Sequence, residues 1–150
     1  MLLMKKNVVL LGCNGQLGKE FKRYVHEKES AFNWVFIDKI NLNLNSLTSE
    51  SFSDFINTYK PLLIINCAAY TNVDKAEKEK DLAFRINGES VGIMIDILAK
   101  KSIPFIHFST DYVFGDSSGK LLKITDKKNP LSVYGKSKLM GEENIIKKID

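Results

Sequence analysis

The order of signals along this 150-residue chain predicts an α/β fold: a parallel sheet with helices on both faces. Three observations carry that expectation. Short, continuous apolar runs recur at intervals and suit strands covered on both sides. Helix-like stretches separate them. A glycine-rich turn joins the first run to the first helical stretch.

Asn7–Leu11 is the first apolar run, and it ends at Gly12. Gly15–Glu29 reads as a helix, with Leu17, Phe21, Tyr24 and Val25 spaced to share one face. Asn33–Ile37 is the second run, rich in aromatic and branched residues, and Asp38 follows its end. The polar, Asn-rich Lys39–Leu47 reads as a loop. Thr48 suits the N-cap of a helix over Ser49–Tyr59, with Phe52, Phe55 and Ile56 as its stripe, and Pro61 stops it. Leu62–Asn66 is the third strand, and Val73–Lys101 is a long, mostly helical stretch with a break near Lys80. Pro104 weakens the start of the fourth strand, expected at Phe105–Ser109 and expected to be buried. Asp111–Leu131 reads as loop and Ser132–Lys148 as helix. There is no internal repeat, low-complexity tract or linker.

Composition narrows the function classes. The chain has 22 Lys+Arg against 18 Asp+Glu, 44% hydrophobic and 27% charged residues, and so belongs to the globular class. No apolar run approaches the ~20 residues of a membrane helix. The apolar run behind Met1–Lys6 is too short for a secretory core and lacks a small-residue cleavage site. A cytoplasmic protein with no membrane partner is expected. Lysines alternate with acids, as in Lys75–Asp81, and no block of five like charges occurs, so no nucleic-acid partner is expected. Cys13 and Cys67 have no metal-ligand spacing; they read as buried or near-site thiols, and no metal is expected.

Gly12-Cys13-Asn14-Gly15-Gln16-Leu17-Gly18 lies between the first strand and first helix. Glycine permits a tight turn and lets backbone approach a ligand, while a helix start offers free N–H groups and a positive dipole end. Those features suit a pyrophosphate. The spacing Gly-x-x-Gly-x-x-Gly departs from the usual dinucleotide fingerprint. It is no Walker loop either, since the leading glycine is missing and Glu20 stands where Ser or Thr would hold magnesium. Asp38 sits where an acid would accept hydrogen bonds from an adenine ribose, which favours NAD over a 2′-phosphate. Lys39 beside it could bind that phosphate, and a solvated acid is the third reading, so NADH versus NADPH stays open.

Tyr134 and Lys138 stand four apart at the start of the last helix, where side chains are neighbours. A phenol titrates near pH ~10 and is a poor acid–base group at neutrality. An ammonium ~4 Å away stabilises the phenolate by about 4 kcal/mol at an effective dielectric of 20. Such a tyrosine can give a proton to a carbonyl that receives hydride. Ser109 and Thr110 end the fourth strand, where ligands bind in open parallel sheets, and a hydroxyl there can hydrogen-bond the same oxygen.

With these residues the chain resembles the extended short-chain dehydrogenase/reductase superfamily and, within it, the dTDP-4-dehydrorhamnose reductase family. The matching stretches are GCNGQLG at Gly12–Gly18, NCAAYTNVDKAE at Asn66–Glu77, STDYVF at Ser109–Phe114 and PLSVYGKSKLMGE at Pro130–Glu142. The resemblance implies a Rossmann-like doubly wound sheet, NADPH or NADH as cofactor and a dTDP-sugar as small-molecule partner. A homo-oligomer is compatible with it. By the same resemblance Tyr134 would protonate the 4-keto oxygen of dTDP-4-dehydro-L-rhamnose during hydride transfer, giving dTDP-L-rhamnose. Lys138 would stabilise the phenolate and hold the nicotinamide ribose. Thr110 would orient the carbonyl, with Asp111 beside the substrate. Gly12, Gly15, Gln16, Leu17 and Gly18 would lie against the cofactor, and Ala69, Tyr70 and Thr71 would line it. Asn45 and Ser46 fall where the family usually shows an acid contacting the adenosine; Asn can hydrogen-bond there but brings no charge.

Other polar residues have plainer readings. His107 is expected to be a satisfied core residue, and Asp74 and Glu77 to favour a helix dipole. Asn87 would hold a water or bond to nearby backbone, and Trp34 would pack. Two other functions share the pattern: a sugar-nucleotide epimerase or dehydratase, and a noncatalytic NADP-binding regulatory subunit of the methionine adenosyltransferase type. The intact Thr110, Tyr134 and Lys138 argue for chemistry. Members of the family are longer than this chain, and their later half supplies the sugar pocket. Residues 1–150 are therefore expected to be an NAD(P)-binding domain that precedes a substrate-binding part.

Overall fold

A computed structural model describes residues 5–115, 119 and 121–149. Met1–Met4, part of the N-terminal flank read above, lie outside the described residues, as do 116–118 and 120 of the expected loop. The described residues group into two compact units. One comprises those of Met1–Ala68 with Ile93–Phe108; the other comprises Ala69–Gly92 with those of Ser109–Asp150.

The first unit holds a parallel sheet of β1 (Asn7–Leu11), β2 (Asn33–Ile37), β3 (Pro61–Asn66) and β4 (Phe105–His107), in the order β2-β1-β3-β4. Its register sets Leu11 beside Ile37 on one side and Asn66 on the other. Val8, Val9, Leu10 and Leu11 are all buried, so both faces of β1 are covered. On one face Val8, Leu10 and Ile65 pack with Trp34, Phe36 and Leu63 against Phe21 of α1 (Gln16–Glu27). Right-handed crossovers place α2 (Ser49–Tyr59) and α5 (Ser90–Lys100) on the opposite face, because the strand order reverses after β1. The crevice at such a reversal, past the carboxyl ends of β1 and β3, is where ligands bind in open sheets.

Local chemistry explains the boundaries. α1 ends at Glu27, not Glu29, and its stripe is narrower than expected: Tyr24 is 62% exposed. Thr48 caps α2 in a reciprocal pair with Ser51. Lys60 takes a left-handed conformation, and Pro61, which cannot continue a helix, starts β3 one residue earlier than expected. The 39–47 loop contains a 3-10 turn at Leu44–Ser46, stabilised because Leu44 and Leu47 are buried and the Asn43 side chain caps it.

β4 corrects two expectations. It ends at His107, not Ser109, and is only half buried, with Ile106 45% exposed. The reason is its place at the end of the strand order, where among the described residues it pairs with β3 alone.

The second unit contains α3 (Val73–Ala76), α4 (Lys80–Phe84), a π-helical turn at Arg85–Glu89 that runs into α5, a 3-10 turn at Asp111–Phe114, and α6 (Val133–Ile149). The 73–101 stretch does break before Lys80, but it also widens into the π turn, which the apolar spacing does not signal. The 3-10 turn corrects the all-loop reading of 111–131. α6 packs closely on the π turn because facing residues are small: a Cβ on Gly88 would strike the Met140 side chain, and one on Gly141 the Asn87 carbonyl. No helix among the described residues is long and apolar enough to cross a membrane.

Candidate active site

In the first unit, the glycine turn is held by backbone. Gly12 has φ +76°, and a Cβ there would lie 2.6 Å from Ala68 N, so the residue needs both glycine's conformational freedom and its small size. Its N–H and that of Cys13 both donate to Ile37 O, at 2.9 and 3.1 Å. Gly18 is buried where α1 meets the turn, with no room for a Cβ against Gly12 and Cys13. Gly15 differs. It is exposed, has an ordinary φ of −72°, and a Cβ would meet only Gly12 O at 3.3 Å. Gly12 and Gly18 thus serve the fold, and Gly15 is the glycine whose bareness faces solvent.

α1 starts at Gln16 with no side-chain cap and no acid in its first turn, so its positive end is uncovered. Gln16 and Leu17 are exposed beside Gly15. An open backbone surface against an uncapped helix start fits a diphosphate. Asp38, at the end of β2, is not a freely solvated acid. One oxygen accepts from Ile40 N and Asn41 N, at 2.9 and 3.2 Å, and the other from Asn14 Nδ2 at 3.1 Å, which ties it to the glycine turn. Asn45 and Ser46 are exposed on the 3-10 turn. Ser46 lines a hollow of about 320 Å³ with Asn43, Ser51, Asp54 and Thr58, outside the glycine turn.

The second unit gathers Tyr70, Thr110, Asp111, Tyr134 and Lys138. Ala69 and Tyr70 are half-buried and Thr71 is exposed. Tyr70 backbone is clamped by Asn87, whose Oδ1 accepts from Tyr70 N at 2.8 Å while Nδ2 donates to Tyr70 O at 2.9 Å. The Tyr70 phenol donates to Glu79 at 2.8 Å; burial and that carboxylate hold it above its ordinary range, as a proton-bearing group. Thr110 caps the 3-10 turn. Its Oγ1 accepts from Tyr112 N at 3.3 Å and donates to Asp111 Oδ1 at 3.2 Å.

α6 presents Tyr134 and Lys138 one turn apart. Tyr134 is half-buried against Ala76, Ala83 and Val133, and its ring meets Tyr112 edge-on at 5.5 Å. Lys138 is buried, and burial lowers its pKa to about 8 against the opposing pull of Glu142. Between them, buried Ser137 donates to Tyr134 O at 2.7 Å and accepts from Asn87 Nδ2 at 2.9 Å. Glu77 accepts from Val133 N at 2.7 Å, so it caps α6 and not its own helix, which Asn72 caps. Glu142 accepts from Ser109 Oγ and Lys128 Nζ.

Asn87, expected to hold a water or bond to nearby backbone, instead bonds the backbone of Tyr70, 17 residues away, and Ser137, while Ser137 and Glu142 escaped sequence reasoning as site-building groups. Ser137 and Glu142 did lie inside the Pro130–Glu142 stretch, the only signal available for them. His107 is partnered by Asn66 Nδ2 at 3.1 Å, as expected of a satisfied residue, and Trp34 packs between Phe21 and Phe36. Cys13 is buried, and burial pushes the Cys67 thiol up to about 11, so Cys67 is not a ready thiolate. Among the described residues no group of His, Cys, Asp or Glu is placed to hold a metal.

The family model described as RmlD substrate binding domain matches residues 5–150. The chain belongs to this family. Spore coat polysaccharide biosynthesis protein SpsK of Bacillus subtilis (strain 168) is 36% identical over 140 residues, 92% of this chain and 47% of that protein. The dTDP-4-dehydrorhamnose reductase of Escherichia coli (strain K12) is 34% identical over 139 residues, 91% of this chain and 46% of its own length. Among solved structures, dTDP-4-dehydrorhamnose reductase from Bacillus anthracis str. Ames in complex with NADP superposes with a TM-score of 0.86 at 31% identity, covering 98% of this chain and 51% of that one. UDP-glucose 4-epimerase from Brucella ovis, at 17% identity and a TM-score of 0.81 over 95% of this chain and 47% of that one, shares the fold alone. The fold of this family member is thus Rossmann-like. The chain spans about half the length of the curated relatives it matches.

Proposed function

We propose that this chain is the cofactor-binding part of a nucleotide-sugar 4-keto reductase that converts dTDP-4-dehydro-L-rhamnose to dTDP-L-rhamnose with NADPH or NADH. The observation that carries the reading is Lys138, a buried ammonium set one helical turn from the Tyr134 phenol. Relatives named for this reductase activity support it, as does the relative solved with NADP. The sugar-binding part is assigned to sequence beyond these 150 residues, and the protein is assigned to the cytoplasm.

The bound nicotinamide supplies the hydride. The backbone of Gly15, Gln16 and Leu17 holds the diphosphate at the uncapped start of α1, with Gly12 and Gly18 shaping the turn. Asp38 accepts from the adenine ribose, Asn45 and Ser46 contact the adenosine, and Ala69, Tyr70 and Thr71 line the cofactor. As charge develops on the ketone oxygen, Tyr134 gives up its hydroxyl proton and Lys138 stabilises the phenolate left behind. Lys138 also hydrogen-bonds the nicotinamide ribose. Thr110 donates to the same ketone oxygen, for which its O–H must turn away from the Asp111 carboxylate, and Asp111 remains beside the sugar.

Tyr134→Phe in the complete protein tests this. NADPH oxidation by the 4-keto sugar is expected to be lost while a nicotinamide-fluorescence titration stays unchanged. Equal rates in the variant and the parent would remove Tyr134 as the acid.

A further inference from the structure

The matched stretch Pro130–Glu142 ends in a carboxylate that the hydride chemistry does not use. Glu142 stands on α6 one turn past Lys138 and two past Tyr134. Its side chain is 16% exposed, and each oxygen has its own partner: Oε1 accepts from Ser109 Oγ and Oε2 from Lys128 Nζ. Ser109 directly precedes Thr110, and Lys128 lies in the segment that leads into α6. One side chain therefore ties together the helix carrying Tyr134 and Lys138, the stretch carrying Thr110, and the chain entering that helix.

The geometry points to Glu142 as a positioning residue that fixes the Thr110 hydroxyl relative to the Tyr134 phenol. The inference rests on the reductase reading, which gives that spacing its purpose. Thr110 needs such a tie. β4 ends at His107, so no ladder holds Thr110; its backbone is extended, at φ −150° and ψ 152°, and its hydroxyl bonds only to neighbours in sequence among the contacts described. The link from Ser109 to Glu142 crosses 33 residues to the helix where the proton donor sits. A carboxylate suits the task because both oxygens accept, one from a hydroxyl and one from an ammonium. A glutamine can still bridge both partners by turning its amide nitrogen toward Ser109 Oγ, whereas leucine, with no donor or acceptor, keeps neither bond. The same negative charge opposes the burial that disfavours the Lys138 ammonium.

Glu142→Leu, Ser109→Ala and the double variant test the tie by two readouts. Three-bond couplings of Thr110 report its χ1 populations whether or not the protein turns over. One rotamer is expected in the parent and averaging in each single variant, with the double variant no worse than either. In the reductase assay, kcat is expected to fall roughly ten- to hundredfold, as for a misplaced reacting group, with the KM for NADPH unmoved. Ser109→Ala removes only a surface hydroxyl, so it reads the tie even if Glu142→Leu fails to fold. Unchanged couplings, additive losses, or an unchanged kcat beside altered couplings would overturn the inference. A parent protein that reduces no ketone would instead overturn the reductase reading, and the couplings would still decide whether the tie exists.

Discussion

Replacing Asn87 by Ala should destabilise the fold by about 3 kcal/mol, because this buried amide makes three hydrogen bonds at about 1 kcal/mol each. Two go to the Tyr70 backbone and one to Ser137 Oγ, at 2.8–2.9 Å. Alanine removes all three and leaves a backbone N–H, a carbonyl and a hydroxyl short of a partner. For a chain of this length the loss lowers Tm by about 6–12 °C. Urea denaturation followed by circular dichroism measures it directly. Asn87→Asp sharpens the test: its carboxylate can still accept from Tyr70 N but cannot donate to Tyr70 O or Ser137 Oγ, and it sets an anion against the carbonyl. Asp should therefore recover little of the loss. A cost below about 1 kcal/mol for alanine, or full recovery by Asp, would refute the clamp.

Further expectations follow from the same geometry. Gly12→Ala and Gly18→Ala should destabilise the protein strongly in thermal melts, since each Cβ would come within 3 Å of backbone, whereas Gly15→Val, whose Cβ would sit 3.3 Å from Gly12 O, should lower the melt far less and weaken NADPH in a fluorescence titration. Lys138 titrates near 8 in the folded state, below its ordinary value of 10.5, so the unfolded chain holds more protons between those values. Stability is therefore expected to rise from about pH 8 to about 10.5 in denaturation curves, while NADPH oxidation falls as pH climbs through about 8 and the ammonium is lost. Glu77→Ala should cost about 1 kcal/mol in urea denaturation by removing the acceptor of Val133 N at the start of α6, which Ser132 still caps, and Glu77→Gln, which keeps an acceptor oxygen, should recover it.

The strands and the capped helix were legible because their causes are local. After their leading asparagines the Asn7–Leu11 and Asn33–Ile37 runs are continuously apolar, which matches the two-sided burial of β1, although in β2 only Ile37 is buried; Thr48 stands where a cap must. Boundaries set by tertiary surroundings were less so. The end of β4 depends on having one neighbour strand, and the π turn at Arg85–Glu89 coincides with close packing of Gly88 and Gly141 that no spacing along 73–101 records.

The candidate site divides along the same line. Groups assigned to chemistry announce themselves at short spacing: three glycines within seven residues, or Tyr134 and Lys138 one turn apart. Groups that hold them in place act across the chain. Asn87 and Ser137 are 50 residues apart, Glu77 and Val133 are 56 apart, and each of these side chains looks ordinary in its own neighbourhood. Asn87 bonds Ser137, which in turn bonds the Tyr134 carbonyl, Glu77 secures the residue before it, and Glu142 sits on the same helix two turns on. α6 is thus fixed at its start by a carboxylate, at its middle by an amide–hydroxyl pair, and further along by the ties of Glu142. The helix that carries Tyr134, the acid of the proposed reaction, is pinned at three heights. Under the proposed reaction, loss of the Glu77 or Glu142 pin is expected to lower kcat, because the Tyr134 helix shifts while the glycine turn keeps its own backbone bonds.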